Sequence, residues 1–225
     1  MTFSIVARSF DPPMFGVAIA SSSPAVAARC AHARAGAGAA ATQNITDPRL
    51  GPAVLECLAH AGGAAAAVEA ALSSTPFADY RQLLVIGAAG APAVHSGARS
   101  LGLTASATGA HAAAAGNLLA HADVPAAMIG AFDAASGHLA ARLLRALAAG
   151  AGRGGEAGPI HSAGLLVVRE VPWPIVDLRV DWSGGDPVAE LAVIWGIYAS
   201  QIEDYVRRAL DPERAPSFGV PGDPD

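Results

Sequence analysis

The chain has 225 residues, of which 52% are hydrophobic and 15% charged, with a formal net charge of −5. This length and composition argue against disorder and predict one globular domain over residues 1–210, followed by a tail rich in Pro and Asp over residues 211–225. The negative charge, with no basic block in the sequence, argues against nucleic acid as a partner.

All 14 basic residues are arginine, and the sequence contains no lysine. Schiff-base chemistry, pyridoxal phosphate chemistry and the P-loop lysine are therefore excluded. The two cysteines, Cys30 and Cys57, lack a CxxC spacing, and the seven histidines lack HxH and HxxxH spacings. We expect no disulfide framework, no metal site and no cofactor.

The N-terminal sequence lacks the basic-then-apolar pattern of a signal peptide. No stretch approaches the roughly 18 uncharged apolar residues that a membrane span needs. We therefore expect a cytoplasmic protein without membrane partners.

The first part of the chain predicts a β-hairpin, a third strand and a pair of helices. Runs of Phe, Ile and Val favour strands, and Asp47 before Pro48 is typical of a helix start. The predicted strands are Thr2–Arg8, Gly16–Ser21 and a stretch through Gly36 and Gly38 that ends at Thr42 or Gln43. The predicted helices cover about 50–58 and 64–72.

The second part of the chain predicts further strands, a second helix pair and a last helix. Asp186 before Pro187 is again typical of a helix start. Strands are expected within 81–97 (two), 101–108, 112–119, 162–169 and 176–180, with helices within 124–150 and from residue 187. Helix pairs that cover two antiparallel sheets predict an α+β fold, a four-layer αββα sandwich.

The last predicted helix carries more apolar residues than one core face needs. Val193, Ile194 and Ile197 widen the stripe that Leu191 and Trp195 begin. We therefore expect a homo-oligomer that forms through this C-terminal helix.

Thr2 is the strongest candidate for a catalytic residue. If Met1 is removed, Thr2 combines a hydroxyl nucleophile with an α-amine whose pKa, about 7.7 to 8.0 in unperturbed chains, suits a base at neutral pH. The alternative is that Thr2 only begins a strand, which threonine favours.

Other polar residues are candidates for substrate binding or for an oxyanion hole. Amides beside apolar runs can donate to a developing oxyanion or cap strand ends. Asp177 shares a strand face with Arg179 and could organise a pocket or form a surface ion-pair ladder. The candidates are Gln43, Asn44, Asn117, Arg34, which could clamp an anion, His95, the one histidine considered for acid–base work, and Asp177.

Several segments, in order along nearly the whole chain, resemble the bacterial domain-of-unknown-function family 1028, within the N-terminal-nucleophile (Ntn) hydrolase superfamily. They are TFSIVAR at 2–8, GVAIAS at 16–21, ARAGAGAAATQ at 33–43, RQLLVI at 81–86, GNLLA at 116–120, SAGLLVV at 162–168 and DLRVD at 177–181. The resemblance implies an Ntn-type αββα sandwich and amide cleavage at the position of Thr2. Ser100 and Ala115 depart from the family pattern, which carries cysteine and glutamine there.

The sequence therefore leaves two functions open. The first is hydrolysis of a small amide, lactam or related acyl compound by Thr2, with Gln43, Asn117 or backbone N–H groups of residues 36–40 holding the oxyanion. The second is a non-catalytic binding or assembly module that keeps Met1.

Overall fold

The computed structural model describes residues 1–60, 62–217 and 219. The strands are β1 (Thr2–Phe10), β2 (Pro13–Ser21), β3 (Ala31–Arg34), β4 (Gly38–Asn44), β5 (Arg81–Gly87), β6 (Ala93–Ser96), β7 (Ala105–Thr108), β8 (Ala112–Asn117), β9 (Ser162–Val168) and β10 (Val176–Val180). The helices are α1 (Val26–Cys30), α2 (Leu50–Ala59), α3 (Ala64–Ser73), α4 (Val124–Ala134), α5 (Leu139–Gly152), α6 (Pro187–Tyr198) and α7 (Ile202–Leu210).

The strands form two antiparallel sheets. Six strands pair in the order β10-β9-β2-β1-β8-β7, and four pair in the order β3-β4-β5-β6. In the first sheet, β1 lies between its hairpin partner β2 and β8, so the N-terminal strand is central and has no free edge. The expected α+β class, with antiparallel sheets and helices, is confirmed.

Alternation along β1 divides its side chains between two hydrophobic clusters. Phe3 and Ile5 pack with residues of α4 and α5, whereas Val6 points the other way. Val6 contributes to a cluster that also contains Leu84 and Ile86 of β5. The two sheets therefore meet through β1, β4 and β5.

Small side chains allow the two sheets to approach closely. Ala39 and Ala41 of β4 lie in the same cluster as Ala113 and Ala115 of β8. On the other side of the four-stranded sheet, Leu83 belongs to a separate cluster with residues of α2 and α3. The high alanine content thus serves the packing of sheet on sheet and helix on sheet.

Arg8 joins the sheets at the end of β1 farthest from Thr2. Its guanidinium is buried and donates to the carbonyl oxygens of Gly87, Gly90 and Ala110 at 2.8, 2.8 and 3.2 Å. These acceptors lie at the β5–β6 turn and before β8, so one side chain holds both sheets.

The structure departs from the expected elements in short segments. Residues 26–34, for which no separate element was predicted, form α1 and β3. The strand expected over 101–108 is limited to β7, and a 3-10 turn at Ala199–Gln201 separates α6 from α7. Such elements are too short for a periodic pattern to stand out. Of the predicted tail over 211–225, residues 211–217 and 219 are described and include a 3-10 turn at Pro212–Arg214, whereas residues 218 and 220–225 lie outside the described residues.

In the described part of the chain, no helix is both long enough and apolar enough to cross a membrane.

Candidate functional site

Four adjacent strands of the six-stranded sheet each place one small polar residue in the same row. The pairing register sets Asn117 of β8 opposite Thr2, Thr2 opposite Ser21 of β2, and Ser21 opposite Ser162 of β9. Residues that pair directly share a sheet face. We call these four residues the polar row. Thr2 shares its face with Val6, so the polar row faces the space between the sheets.

The polar row is buried although its members are hydrophilic. Thr2 is 6% exposed, Asn117 is 1% exposed, and both Ser21 and Ser162 are fully buried. Burial of polar groups is costly unless they form hydrogen bonds, so such a row needs internal partners or a ligand.

The Thr2 hydroxyl lies among other oxygen atoms. Its Oγ is 3.2 Å from the Oγ of Ser21 and donates to the Met1 carbonyl at 2.5 Å. The same carbonyl accepts a hydrogen bond from Ser21 Oγ, also at 2.5 Å. Ser21 Oγ is in turn 2.8 Å from Ser23 Oγ, which accepts from Arg29 Nη2 at 2.7 Å. A chain of hydroxyl groups thus leads from Thr2 to a cation.

A buried amide network adjoins the polar row. Gln43 Nε2 and Asn117 Nδ2 both donate to Gln82 Oε1, at 2.7 and 3.1 Å. Ser4 Oγ donates to Gln43 Oε1 at 2.7 Å, and Gln82 Nε2 donates to Ser96 Oγ at 2.9 Å. Because Gln43 and Gln82 belong to the four-stranded sheet, this network joins the two sheets beside Thr2.

Asn117 has one polar atom left over in this arrangement. Its Oδ1 is buried and has no hydrogen-bond partner among the described residues. Asn117 stands directly opposite Thr2, so this oxygen is an acceptor available at the N-terminal end of β1.

Glu156 places a carboxyl group in the same region. It is 2% exposed, and neither carboxylate oxygen makes a well-aligned hydrogen bond with a described residue. Burial raises the pKa of Glu156 to about 7, a shift opposed by the N-terminal ammonium, Ser22 and His161. Because the N-terminal ammonium lowers the pKa of this carboxyl, Glu156 lies within electrostatic range of the chain terminus.

The predicted site residues divide into two sets. Gln43 and Asn117 lie in the amide network beside Thr2. Asn44 instead joins two loops, because its amide donates to the Tyr80 carbonyl at 2.6 Å and its Oδ1 accepts from the Leu101 N–H at 3.1 Å.

Three other predicted site residues make their contacts elsewhere. Arg34 forms an exposed ion pair with Glu56 at 2.7 Å. His95 pairs with Leu83, whose side chain packs on α2 and α3, so His95 is on the face of β6 opposite to the polar row. Asp177 is held by Arg179 at 2.7 and 2.9 Å on the edge strand β10. All three remain predictions as binding residues.

Sequence reasoning missed several residues of the site. They are Ser4, Ser21, Gln82, Glu156 and Ser162. Gln82 carried a usable signal, since it is a polar residue at the start of the apolar run RQLLVI. Glu156 carried none, because it lies in a glycine-rich loop without periodicity.

No group of three or more His, Cys, Asp or Glu side chains is placed to hold a metal ion in the ranges that the structure describes.

The geometry defines a mixed α/β protein with two antiparallel sheets and a buried polar site at the end of its N-terminal strand. The chain belongs to DUF1028, a family of unknown function whose model matches residues 2–191. Membership of this family, expected from the sequence, is confirmed.

Among solved structures, the chain is similar to the crystal structure of protein SPO2555 from Silicibacter pomeroyi, also assigned to DUF1028. The two chains are 29% identical with a TM-score of 0.82, over 90% of this chain and 94% of that chain. No curated protein matches the chain.

Proposed function

We propose that the protein is an N-terminal-nucleophile hydrolase with a four-layer αββα sandwich, and that Thr2 cleaves a small amide, lactam or related acyl compound. The observation that carries this proposal is the place of Thr2 in the polar row, buried at the end of the central strand and facing the gap between the sheets. The family match begins at the same residue.

The architecture also supports the proposal. One hydrophobic cluster lies between the two sheets, and separate clusters lie between each sheet and its own helices. In this arrangement a nucleophile at the start of β1 sits between the layers, where packed side chains exclude water and strengthen electrostatic interactions.

The reaction uses the Thr2 side chain together with its own amine. After removal of Met1, the neutral α-amine takes the proton of Oγ while Oγ attacks the substrate carbonyl carbon. The tetrahedral oxyanion collapses to a threonyl ester, and the amine passes its proton to the leaving nitrogen. Water then attacks the ester, which releases the carboxylic acid and restores the Oγ proton.

Neighbouring groups suit supporting roles in this reaction. The Ser21 hydroxyl donates to a carbonyl oxygen beside Thr2 in the full chain, so it is placed to donate to a substrate carbonyl. Asn117 Oδ1 is available to accept a hydrogen bond from the Thr2 amine. Gln43 and Gln82 hold the Asn117 side chain in place.

The test is trapping of the acyl intermediate on protein that begins at Thr2. The chain is produced with a cleavable N-terminal fusion, its intact mass is checked, and it is treated with p-nitrophenyl acetate. We expect an acetyl ester on Thr2 that hydroxylamine removes, which separates it from an acetyl amide on the α-amine. Peptide mass spectrometry locates the adduct.

Two variants serve as controls. Thr2→Ala should form no hydroxylamine-labile adduct, and Thr108→Ala, at an exposed threonine of β7, should react like the unchanged chain. The proposal is wrong if folded protein with a free Thr2 terminus gives no such ester, or if Thr2→Ala gives the same ester.

The assembly expected through the last helix is also kept as a proposal, because α6 exposes apolar side chains. Val193 is 65% exposed and Ile197 is 64% exposed, one turn apart on the same helix face. A second copy of the chain is the proposed occupant of this face, and cytoplasmic residence is proposed with it.

A further inference from the structure

Met1 fills a defined space beside Thr2. Its carbonyl accepts hydrogen bonds from Thr2 and Ser21. Its terminal methyl lies close to Gly158, since a Cβ atom added to that glycine would be 2.8 Å from Met1 Cε. Any larger residue at 158 would therefore compete with the methionine side chain for this space.

The proposed reaction begins only after Met1 has left, so this space becomes part of the substrate site. A substrate carbonyl that reaches Thr2 Oγ and the Ser21 hydroxyl would lie where the Met1 carbonyl lies. The acyl chain of the substrate would then extend toward Gly158, as the methionine side chain does.

Glu156 lies two residues before Gly158, in a segment that backbone hydrogen bonds hold in place. The residues on both sides of Glu156 are tied to the segment that follows β8, by Ala120 N–H to Gly155 O at 3.0 Å and Ala157 N–H to Leu118 O at 2.8 Å. This segment continues directly from Asn117 of the polar row. Glu156 and the polar row are thus parts of one rigid arrangement.

Among the described residues Glu156 forms no ion pair, and Ser22 is the only hydrogen-bonding residue that favours its charged form. The Glu156 side chain is buried with no well-aligned hydrogen bond to a described residue, and a buried carboxylate is strongly destabilising unless a cation or hydrogen-bond donors compensate it. The N-terminal ammonium of Met1 acts on Glu156 electrostatically. Removal of Met1 takes that ammonium away from its position, while the carboxyl group stays.

We infer that Glu156 is the counter-ion for an ammonium group on the acyl part of the substrate, in the space that Met1 fills in the full chain. This inference rests on the proposed function for the position of the substrate at Thr2. It narrows the substrate class to small amides of amino acids, in which the carbonyl faces Thr2 and Ser21 and the amino group faces Glu156. An unbranched side chain of about the length of methionine fits beside Gly158.

The test compares two amides that differ only in the amino group. L-Methioninamide and 4-(methylthio)butanamide are titrated calorimetrically into protein that begins at Thr2, at pH 7.5. We expect L-methioninamide to bind at least about tenfold more tightly, as one charged hydrogen-bonded contact allows. Glu156→Gln should abolish the difference by weakening only the binding of L-methioninamide.

Glu69→Gln, at an exposed position of α3, is the matched control and should keep the preference. Equal affinities in the unchanged chain, or a preference that survives Glu156→Gln, would overturn the inference. Acetylation of Thr2 by p-nitrophenyl acetate involves no ammonium group, so it reports on the proposed function alone. An ester on Thr2 together with equal amide affinities would refute only the role of Glu156.

Discussion

At the scale of single residues, Glu156 couples the site to the stability of the fold. Burial raises its pKa from 4.5 to about 7, so between these values the folded chain binds a proton that the unfolded chain releases. A group whose pKa is raised in the folded state contributes stability at low pH, and this contribution is lost as the pH rises through the folded pKa. The contribution of Glu156 to the free energy of unfolding changes by about 3 kcal/mol at most over this pH range.

Glu156→Gln should therefore stabilise the full chain more at pH 8 than at pH 5, relative to the unchanged chain, because glutamine avoids the cost of a buried charge. Urea unfolding at the two pH values measures the difference, with an expected gain at pH 8 of about 1 to 3 kcal/mol over that at pH 5. Glu69→Gln should show no such trend. Equal effects of Glu156→Gln at both pH values would contradict the prediction.

At the scale of elements, α6 shows how one helix serves the core and exposes an apolar face. Asp186 Oδ1 accepts hydrogen bonds from the N–H groups of Val188 and Ala189 at 3.0 Å each, which caps the helix start as its sequence predicts. Trp195 packs near His138, with ring centroids 5.4 Å apart. Trp195 is thus part of the packing within the chain, and Val193 and Ile197 are the residues to test for assembly.

Val193→Glu and Ile197→Glu should each dissociate the proposed homo-oligomer, because a charge buried in an apolar interface without a partner is costly. Size-exclusion chromatography with light scattering measures the mass of each protein at matched concentration. Leu103→Glu, at a 44% exposed residue outside α6, should leave the mass unchanged. A monomeric unchanged chain, or variants that keep its oligomeric mass, would refute assembly through this face.

At the scale of the whole molecule, the two sheets are held by polar contacts at both ends of β1 as well as by the apolar cluster between them. Arg8 binds carbonyl oxygens at one end, and the hydrogen bonds from Ser4 to Gln43 and from Asn117 to Gln82 cross between the sheets at the other. Gln82 Oε1 is the shared acceptor for two amides from different sheets. Its loss would take away the acceptor that Asn117 Nδ2 and one N–H of Gln43 share in a buried position, while Gln43 Nε2 keeps its hydrogen bond to the Ala115 carbonyl at 3.2 Å.

Gln82→Ala should lower the free energy of unfolding by about 2 to 4 kcal/mol, since two buried N–H groups, one of Gln43 and one of Asn117, lose the acceptor they share at about 1 to 3 kcal/mol each, part of which relaxation recovers. It should also slow acetylation of Thr2, because Asn117 loses its support. Gln201→Ala, where the amide donates an exposed hydrogen bond to the carbonyl of Ile197, is the control for urea unfolding. Similar losses of unfolding free energy in the two variants would show that the amide network contributes little to stability.

The order and type of most elements could be predicted from local patterns. β10 occupies the predicted 176–180, and the hairpin, both helix pairs and the cap at Asp186 are where the sequence places them. Alternation and capping act within a few residues, which is why they can be read along the chain. The short α1 and β3 could not be predicted, because four or five residues hold too few repeats of the helical or strand period for a pattern to stand out.

Only part of the candidate site could be predicted from the sequence. Thr2 was identified from its chemistry, and Gln43 and Asn117 from amides beside apolar runs. Arg34, His95 and Asp177 were chosen by residue type and local position in the sequence, but their contacts lie outside the polar row. Residue type says what a side chain can do, whereas strand register and sheet face decide what it can reach.

By itself, the sequence determined the antiparallel α+β class, the family and the presence of a threonine beside the terminus, because these depend on composition, local periodicity and order along the chain. Only the tertiary structure decided that Asn117, Thr2, Ser21 and Ser162 form one buried row, and that Glu156 lies beside it. The physical reason is that this row depends on register between strands far apart in sequence, and that the pKa of Glu156 depends on burial by residues from other parts of the chain.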